Sequence, residues 1–160
     1  MTHENAVADN SNSQQYLTFT LADEEYGVDI LKVQEIKGYV PTTRVPNSPA
    51  DVVGVLNLRG SIVPLIDLRH KFNLPLVAYD NFNAIVVVVV RKHVVGIIVD
   101  SVSEVAQIAA ENIQPAPDLG DAHDSAMLLG IAQKGETLIT LLDIEEVLGD
   151  RFGAGLAMAA

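Results

Sequence analysis

The chain has 160 residues, a net charge of −11 and no cysteine. The lack of thiols excludes disulfides, iron–sulfur clusters and cysteine zinc sites, and it fits a reducing compartment. Residues 14–92 carry eight acidic and eight basic side chains, whereas residues 100–150 carry eleven acidic side chains against Lys134 alone. Because a phosphate backbone requires a basic surface, nucleic acid is disfavoured as a partner.

The sequence does not have the pattern of a signal peptide or of a membrane-spanning helix. The N-terminal stretch MTHENAVADNSNSQQ lacks the basic flank and apolar centre of a signal peptide. The run Ala84–Val90 falls far short of the ~20 apolar residues that a membrane helix requires. The sequence therefore predicts a cytoplasmic protein with a disordered tail at residues 1–13 and a flexible tail at 150–160.

In the first half, alternating residues at 16–21 and 26–30 predict a hairpin. The next segment, LKVQEI, is compatible with a short helix or a strand, and three prolines then confine residues 38–53 to an edge strand and loop. GVLNLRGSIVPLIDL, from Gly54 to Leu68, predicts a second hairpin that turns at Arg59 and Gly60. A helical turn follows at residues 68–73.

The second half begins with two β-branched runs, NAIVVVVV and VVGIIVDSV, whose unbroken apolar character predicts strands buried on both faces. EVAQI, MLLGIAQ and TLITLLDI complete a second set of strands. DIEEVLGD predicts a short helix that Asp143 caps and Gly149 ends. About ten short strands in all predict an all-β double barrel with minor helices.

Two stretches occur twice in the chain. GVDILKVQEI from Gly27 aligns with GIIVDSVSEV from Gly96, which places Glu35 over Glu104 at an offset of 69 residues. GVLNLRGSIVPLID from Gly54 aligns with GIAQKGETLITLLD from Gly130 at an offset of 76, with the turn glycine displaced by one place. The sequence therefore predicts an internal duplication, with a first barrel at residues 15–78, a second at 82–142 and a C-terminal helix at 143–149.

The residues give no constellation for catalysis. The four histidines have no spacing that would place two of them on one face as metal ligands, and GxSxG, GxxxxGK[ST] and GxGxxG are absent. Asp67 and Asp143 lie at matching positions before helical turns, where helix capping is expected. The sequence predicts a protein that is not an enzyme and that uses neither a metal nor a cofactor.

Arg59 is the most informative single residue. It is a lone cation at the turn of an otherwise apolar hairpin. Such a cation contributes little to chemistry by itself but is well suited to binding a carboxylate on another protein.

Four stretches resemble the CheW family of bacterial chemotaxis coupling proteins over residues 14–149: EYGVDILKVQEIKGY, VPNSPADVVGVLNLRGSIVPLIDLRHKF, VVGIIVDSVSEV and ENIQPAPDLG. The resemblance implies two five-stranded β-barrels packed on one another. It also implies an adaptor that joins the cytoplasmic tips of chemoreceptors to the regulatory domain of the histidine kinase CheA in membrane-associated arrays.

The resemblance carries the family's receptor-facing positions onto Val33, Glu35, Gly54, Arg59 and Gly60. Arg59 would make charge-assisted contacts, Val33 would add apolar area and the two glycines would hold the backbone shape. Two alternatives stay open. Glu35 either bonds the receptor or braces Arg59 within the protein, and Val33 either contacts the receptor or packs in the core.

The duplication bears on the partners. Glu35 has a counterpart in Glu104, whereas Arg59 has none at the same alignment position. We therefore expect the first half and the groove between the halves to meet the receptor helix. The second barrel is expected to meet CheA in a barrel-to-barrel contact through mainly apolar residues. Two other functions remain possible: a coupler of the same fold in another chemosensory pathway, such as surface motility, and a ligand-binding or enzymatic barrel.

Overall fold

The structure is a computed structural model that describes residues 13–115 and 127–148. Over these ranges it has eleven strands: β1 (Ser13–Leu21), β2 (Glu24–Asp29), β3 (Val33–Gly38), β4 (Val52–Leu58), β5 (Ser61–Asp67), β6 (Ala84–Val90), β7 (His93–Val99), β8 (Ser101–Ala109), β9 (Ile113–Gln114), β10 (Leu128–Lys134) and β11 (Thr137–Leu142). Two short helices, α1 (Leu68–Lys71) and α2 (Ile144–Leu148), accompany 3-10 turns at Ile30–Lys32 and Ala110–Asn112. The all-β class is confirmed. Apart from Ser13, which begins β1, the predicted tails lie outside the described residues, as does Gly149.

The strands form two sheets. One has six strands in the order β8-β1-β2-β11-β10-β9, and the other has five in the order β3-β6-β7-β5-β4. Both contain antiparallel hairpins joined by one parallel pair, β11 with β2 and β5 with β7. Within the described ranges the ladders end at β8 and β9 and at β3 and β4, so "sheet" describes them more closely than the predicted "barrel".

Each sheet draws strands from both copies of the repeat. The five-stranded sheet combines β3, β4 and β5 of the first copy with β6 and β7 of the second. The six-stranded sheet combines β1 and β2 of the first copy with β8, β9, β10 and β11 of the second. The predicted division at 15–78 and 82–142 therefore does not describe which strands pair, because the first hairpin of each copy is exchanged between the sheets.

The two sheets repeat each other in detail. In the parallel pair of one sheet Leu65 lies opposite Gly96, and in the other Leu141 lies opposite Gly27. The two pairs are equivalent in the repeat, because Leu65 corresponds to Leu141 at the offset of 76 and Gly27 corresponds to Gly96 at the offset of 69. The antiparallel ladders also shift register at equivalent places, next to Gly54 and next to Gly130. The predicted duplication is thus present in the geometry as well as in the sequence.

The described residues fall into two compact units, 13–18, 25–30, 103–115 and 127–148 in unit 1 and 19–24 and 31–102 in unit 2. Each has its own apolar cluster. The cluster of unit 1 contains Tyr16, Ala106, Ile108, Ala132, Ile139 and Leu141, and that of unit 2 contains Leu58, Val63, Leu65, Ile85, Val87 and Ile98. At about 1.5–3 kcal/mol for each large side chain fully buried, each cluster contributes substantially to the stability of its unit.

The strand β6 confirms the expectation for the valine run. Six of its seven residues are buried, and only Val89 is exposed. The ambiguous segment LKVQEI divides into the 3-10 turn and β3. Asp67 and Asp143 both cap helices as expected: Asp67 Oδ1 accepts from the Arg69 N–H at 2.9 Å, and Asp143 Oδ1 accepts from the Glu145 N–H at 3.2 Å.

Candidate functional site

The hairpin of β4 and β5 turns through two residues, Arg59 and Gly60. Leu58 and Ser61 form its last ladder pair, and the φ angles of Arg59 and Gly60 are 50° and 89°. Two successive positive φ angles define a type I′ turn, whose twist matches that of the strands. Asn57 adds a side-chain bond, since its Oδ1 accepts from the Gly60 N–H at 2.9 Å.

Arg59 extends from this turn into solvent but remains tied to its own chain. Its side chain is 65% exposed, and its Nη2 donates to Oε1 of Glu35, whose side chain is 24% exposed. The ion pair links the β4–β5 turn to β3, which lies at the opposite end of the strand order. The two edges of the five-stranded sheet therefore curve toward each other at this point. Of the two readings of Glu35, the one in which it braces Arg59 is present in the structure.

Val33 begins β3 and is only partly buried, opposite Val88 on β6. Glu35 lies opposite Val87, a member of the unit 2 cluster, after a register shift between Val33 and Glu35. Two large apolar side chains nearby in sequence are strongly exposed: Leu31 at 83% and Ile62 at 65%. Neither residue was predicted from the sequence, because nothing in the apolar pattern around it distinguishes an exposed residue from a core residue.

Gly54 is buried where a loop crosses β4. A Cβ at this position would lie 2.6 Å from Thr42 Oγ1 and 2.6 Å from the Thr43 carbonyl oxygen. Thr43 and Val55 exchange two backbone hydrogen bonds there, of 3.1 and 2.8 Å. Gly54 therefore permits close packing within the fold.

Gly60 has a different requirement. A Cβ at Gly60 would have no heavy atom within 4 Å, so space is not what demands glycine. Its φ of 89° is the reason, since side chains disfavour that conformation. The ion pair thus brings Glu35 of β3 to the Arg59–Gly60 turn. Val33 lies two residues before Glu35 on β3, and Gly54 lies on β4, the strand that leads into the turn.

The six-stranded sheet carries an equivalent ion pair that the sequence analysis missed. Lys134 Nζ lies 2.5 Å from Oε2 of Glu104, and both side chains are about half exposed. Glu104 corresponds to Glu35, and Lys134 lies one place from the position of Arg59. The turn differs as well, because Gly135 at its first position has a φ of 63° and Glu136 at its second has no positive φ. The displaced turn glycine is the sequence signal that this turn differs from the Arg59–Gly60 turn.

A partly buried polar network lies elsewhere in unit 2. Arg69 donates to both carboxylate oxygens of Asp100, at 2.8 and 2.6 Å, and to the carbonyl oxygen of Pro75 at 2.6 Å. The hydrogen bond from Arg69 lowers the pKa of Asp100, and the same bond raises the pKa of Arg69. Tyr79 donates to Oδ2 of Asp67 at 2.6 Å, and burial followed by this bond raises the pKa of Tyr79. The network holds the segment after α1 against the sheet.

The Arg59 turn offers hydrogen-bond donors and the exposed side chain of Ile62, features that suit a binding surface. Over residues 13–115 and 127–148, no three histidine, aspartate or glutamate side chains are grouped closely enough to hold a metal ion. None of the helices in those ranges has the length and hydropathy for crossing a membrane.

Comparison with known proteins gives a consistent picture. The model of the CheW-like domain matches residues 15–152. The chemotaxis protein CheW of Klebsiella aerogenes is 47% identical over 142 residues, which cover 89% of this chain and 86% of that protein. That of Helicobacter pylori is 36% identical, covering 90% and 87%. The crystal structure of the scaffolding protein TtCheW from Thermoanaerobacter tengcongensis is 33% identical and superposes with a TM-score of 0.75, covering 81% of this chain and 88% of that one. With matches that span most of its length, the chain belongs to the family of CheW-like domains.

Proposed function

We propose that this protein is an adaptor that couples the cytoplasmic tips of chemoreceptors to the histidine kinase CheA in chemotaxis signalling. Membership of the CheW-like family supports the adaptor role in chemotaxis. The observation that carries the receptor contact is the exposed guanidinium of Arg59, held at a rigid turn by Glu35. In this proposal the protein catalyses no reaction. It lies in the cytoplasm, at membrane-associated receptor arrays.

Arg59 has binding capacity left after its internal contact. A guanidinium has five N–H donors. Among the described residues, the hydrogen bond from Nη2 to Glu35 is the only one that the Arg59 side chain makes. The remaining donors point to a planar acceptor such as a carboxylate, for which arginine is the preferred partner in interfaces. Because Glu35 fixes the side chain beforehand, binding costs less rotamer entropy than it would for a mobile arginine.

The remaining predicted residues have supporting roles in this proposal. Val33 contributes apolar area in this proposal. Leu31, two residues before Val33, and Ile62, three residues after Arg59, offer further exposed apolar surface. Gly60 provides the turn conformation, and Gly54 keeps β4 close to its crossing loop. Interfaces typically combine a few such anchors with surrounding apolar contact.

The proposal places CheA on unit 1, which contains β10 and β11. Unit 1 carries the ion pair Lys134–Glu104 where unit 2 carries Arg59–Glu35, and Lys134 lies one place before the position of Arg59. Its described residues include eight acidic side chains and one basic side chain: Glu25, Asp29, Glu104, Glu111, Glu136, Asp143, Glu145, Glu146 and Lys134. Different charges on similar frameworks favour different partners.

Charge reversal at Arg59 tests the proposal, and Arg91 offers a matched control. Arg91 is exposed and is the first residue of the β6–β7 turn, where its φ is also 50°. We expect Arg59→Glu to weaken co-sedimentation with receptor-containing membranes at least about tenfold, because a charge-assisted contact contributes about 1.5–3 kcal/mol. Arg91→Glu should bind as the wild type does.

Both variants should keep a Tm within a few degrees of the wild type, since exposed ion pairs contribute about 0–1 kcal/mol. The same membranes with CheA should show kinase activation only when the wild-type protein or Arg91→Glu is present. Equal binding by Arg59→Glu and Arg91→Glu would contradict the receptor contact. Kinase activity that does not depend on the protein would contradict the adaptor role.

A further inference from the structure

Asn57 makes a side-chain contact with the turn that presents Arg59. It lies on β4 two places before Arg59, is exposed, and pairs in the ladder with Ile62. Its side-chain oxygen accepts from the Gly60 N–H at 2.9 Å. In a two-residue hairpin the strands do not supply an acceptor for this N–H, so Asn57 adds a bond that the ladder alone would lack.

The turn has a reason to need this bond. Arg59 has a φ of 50°, a conformation that glycine and asparagine adopt readily and that long side chains disfavour. A tie between Asn57 and Gly60 spans the arginine and restrains the backbone on both sides of it. Glu35 restrains the other end of the residue, the guanidinium. Arg59 is therefore fixed at its backbone by one neighbour and at its charged end by another.

The equivalent hairpin lacks this arrangement. Gln133 corresponds to Asn57 at the offset of 76, and its Nε2 donates to the Gly135 carbonyl oxygen at 3.3 Å. The side chain at that position thus donates to the turn instead of accepting from it. The hydrogen bond to Asn57 thus occurs at the turn that presents Arg59. The turn beside Lys134 has a different backbone geometry.

We infer that Asn57 is a positioning residue, which holds the Arg59–Gly60 turn in the conformation that presents the guanidinium to the receptor. This inference rests on the proposed function of Arg59. Asn57 acts through Arg59 and does not need to contact the receptor itself. Its effect should therefore depend on whether Arg59 is present.

A double-mutant cycle on the full-length chain tests the inference, with binding to receptor-containing membranes as the readout. We expect Asn57→Ala to raise the Kd about 3- to 10-fold, the effect of losing one ordinary hydrogen bond. The Gly60 amide should exchange its hydrogen faster in this variant, while the Tm stays within a few degrees of the wild type. Gln133→Ala, the matched control, should bind as the wild type does.

The decisive comparison uses Arg59→Ala as the background. If Asn57 acts through Arg59, Asn57→Ala should add no further loss of binding to Arg59→Ala. Losses that simply add would overturn the positioning role, as would normal binding by Asn57→Ala when Arg59→Ala binds weakly. If Arg59→Ala itself binds as the wild type does, the proposed function fails first.

Discussion

Arg59 occupies a position that favours a different residue. Asparagine or glycine is preferred at the first central position of a type I′ turn, and an ordinary side chain in the left-handed conformation costs about 1 kcal/mol. The exposed ion pair with Glu35 offsets at most about that amount. Stability alone therefore does not explain an arginine here, which is consistent with the proposed role of Arg59 in presenting a fixed charge.

The Arg69–Asp100 pair has a structural role and a pH dependence of known sign. Asp100 accepts from two nitrogens of Arg69 and, at 2.9 Å, from the Ala22 N–H. These bonds lower the pKa of Asp100 in the folded state. The stability that they contribute is complete above the unfolded pKa of about 3.9, and it is lost as the pH falls toward the lower folded value.

We therefore expect Asp100→Asn to lower the free energy of unfolding at pH 7 by about 1–3 kcal/mol. The difference from the wild type should shrink as the pH falls below about 4, because the wild-type carboxylate then becomes protonated as well. Urea denaturation at pH 7 and at several acidic pH values measures this. Glu111→Gln is the control, since Glu111 is exposed on a 3-10 turn and should show little difference at either pH. A difference for Asp100→Asn that is constant with pH would contradict the ionic origin.

At the level of the strands, Gly54 and Gly38 differ in whether the surrounding structure leaves room for a side chain. A Cβ at Gly54 would contact the Thr43 backbone at 2.6 Å, whereas one at Gly38 would have nothing within 4 Å. We expect Gly54→Ala to lower the free energy of unfolding by about 1–3 kcal/mol through overpacking. Gly38→Ala should be neutral or slightly stabilising, because it reduces the entropy of the unfolded chain.

Thermal or urea unfolding of the two variants provides the measurement. Equal stability of Gly54→Ala and Gly38→Ala would show that the loop over β4 yields easily. If Gly54→Ala loses receptor binding only in proportion to its unfolded fraction, the role of Gly54 is to support the fold.

The sequence was sufficient for elements whose signals are local. The β4–β5 hairpin follows from alternating apolar residues around Arg59 and Gly60, and the α1 cap follows from Asp67. The strand β9 gave no such signal, because it has two residues and exists through pairing with β10, far along the chain. Of the site, Arg59 and its turn could be predicted. Glu35 as its partner could not be chosen, because that contact depends on how β3 and the β4–β5 turn meet.

At the scale of the molecule, the duplication itself hid the true pairing. The hairpins β1–β2 and β6–β7 have similar apolar patterns. The pattern alone therefore does not show which hairpin pairs with the other strands of each sheet. The structure pairs β2 with β11 and β7 with β5, across the two copies. Sequence periodicity reports which face of a strand is buried, but it does not report which strand lies beside it.

This exchange predicts how the chain behaves when cut in the connection between the copies. We expect a fragment of residues 1–77 and a fragment of residues 78–160 each to lack cooperative unfolding, because each sheet needs strands from both. An equimolar mixture should recover the β-sheet circular dichroism and a cooperative transition. Cooperative unfolding by either fragment alone would contradict the exchange as the basis of stability.

The exchange of the hairpins between the sheets also limits how the gene can be shortened. A stop codon in the connection would leave a product with β3, β4 and β5 but without β6 and β7, and with β1 and β2 but without β11. Both sheets would be incomplete, so a gene for one half does not encode a smaller working version of the protein. The two copies are therefore retained or lost together, even though their surfaces are free to diverge.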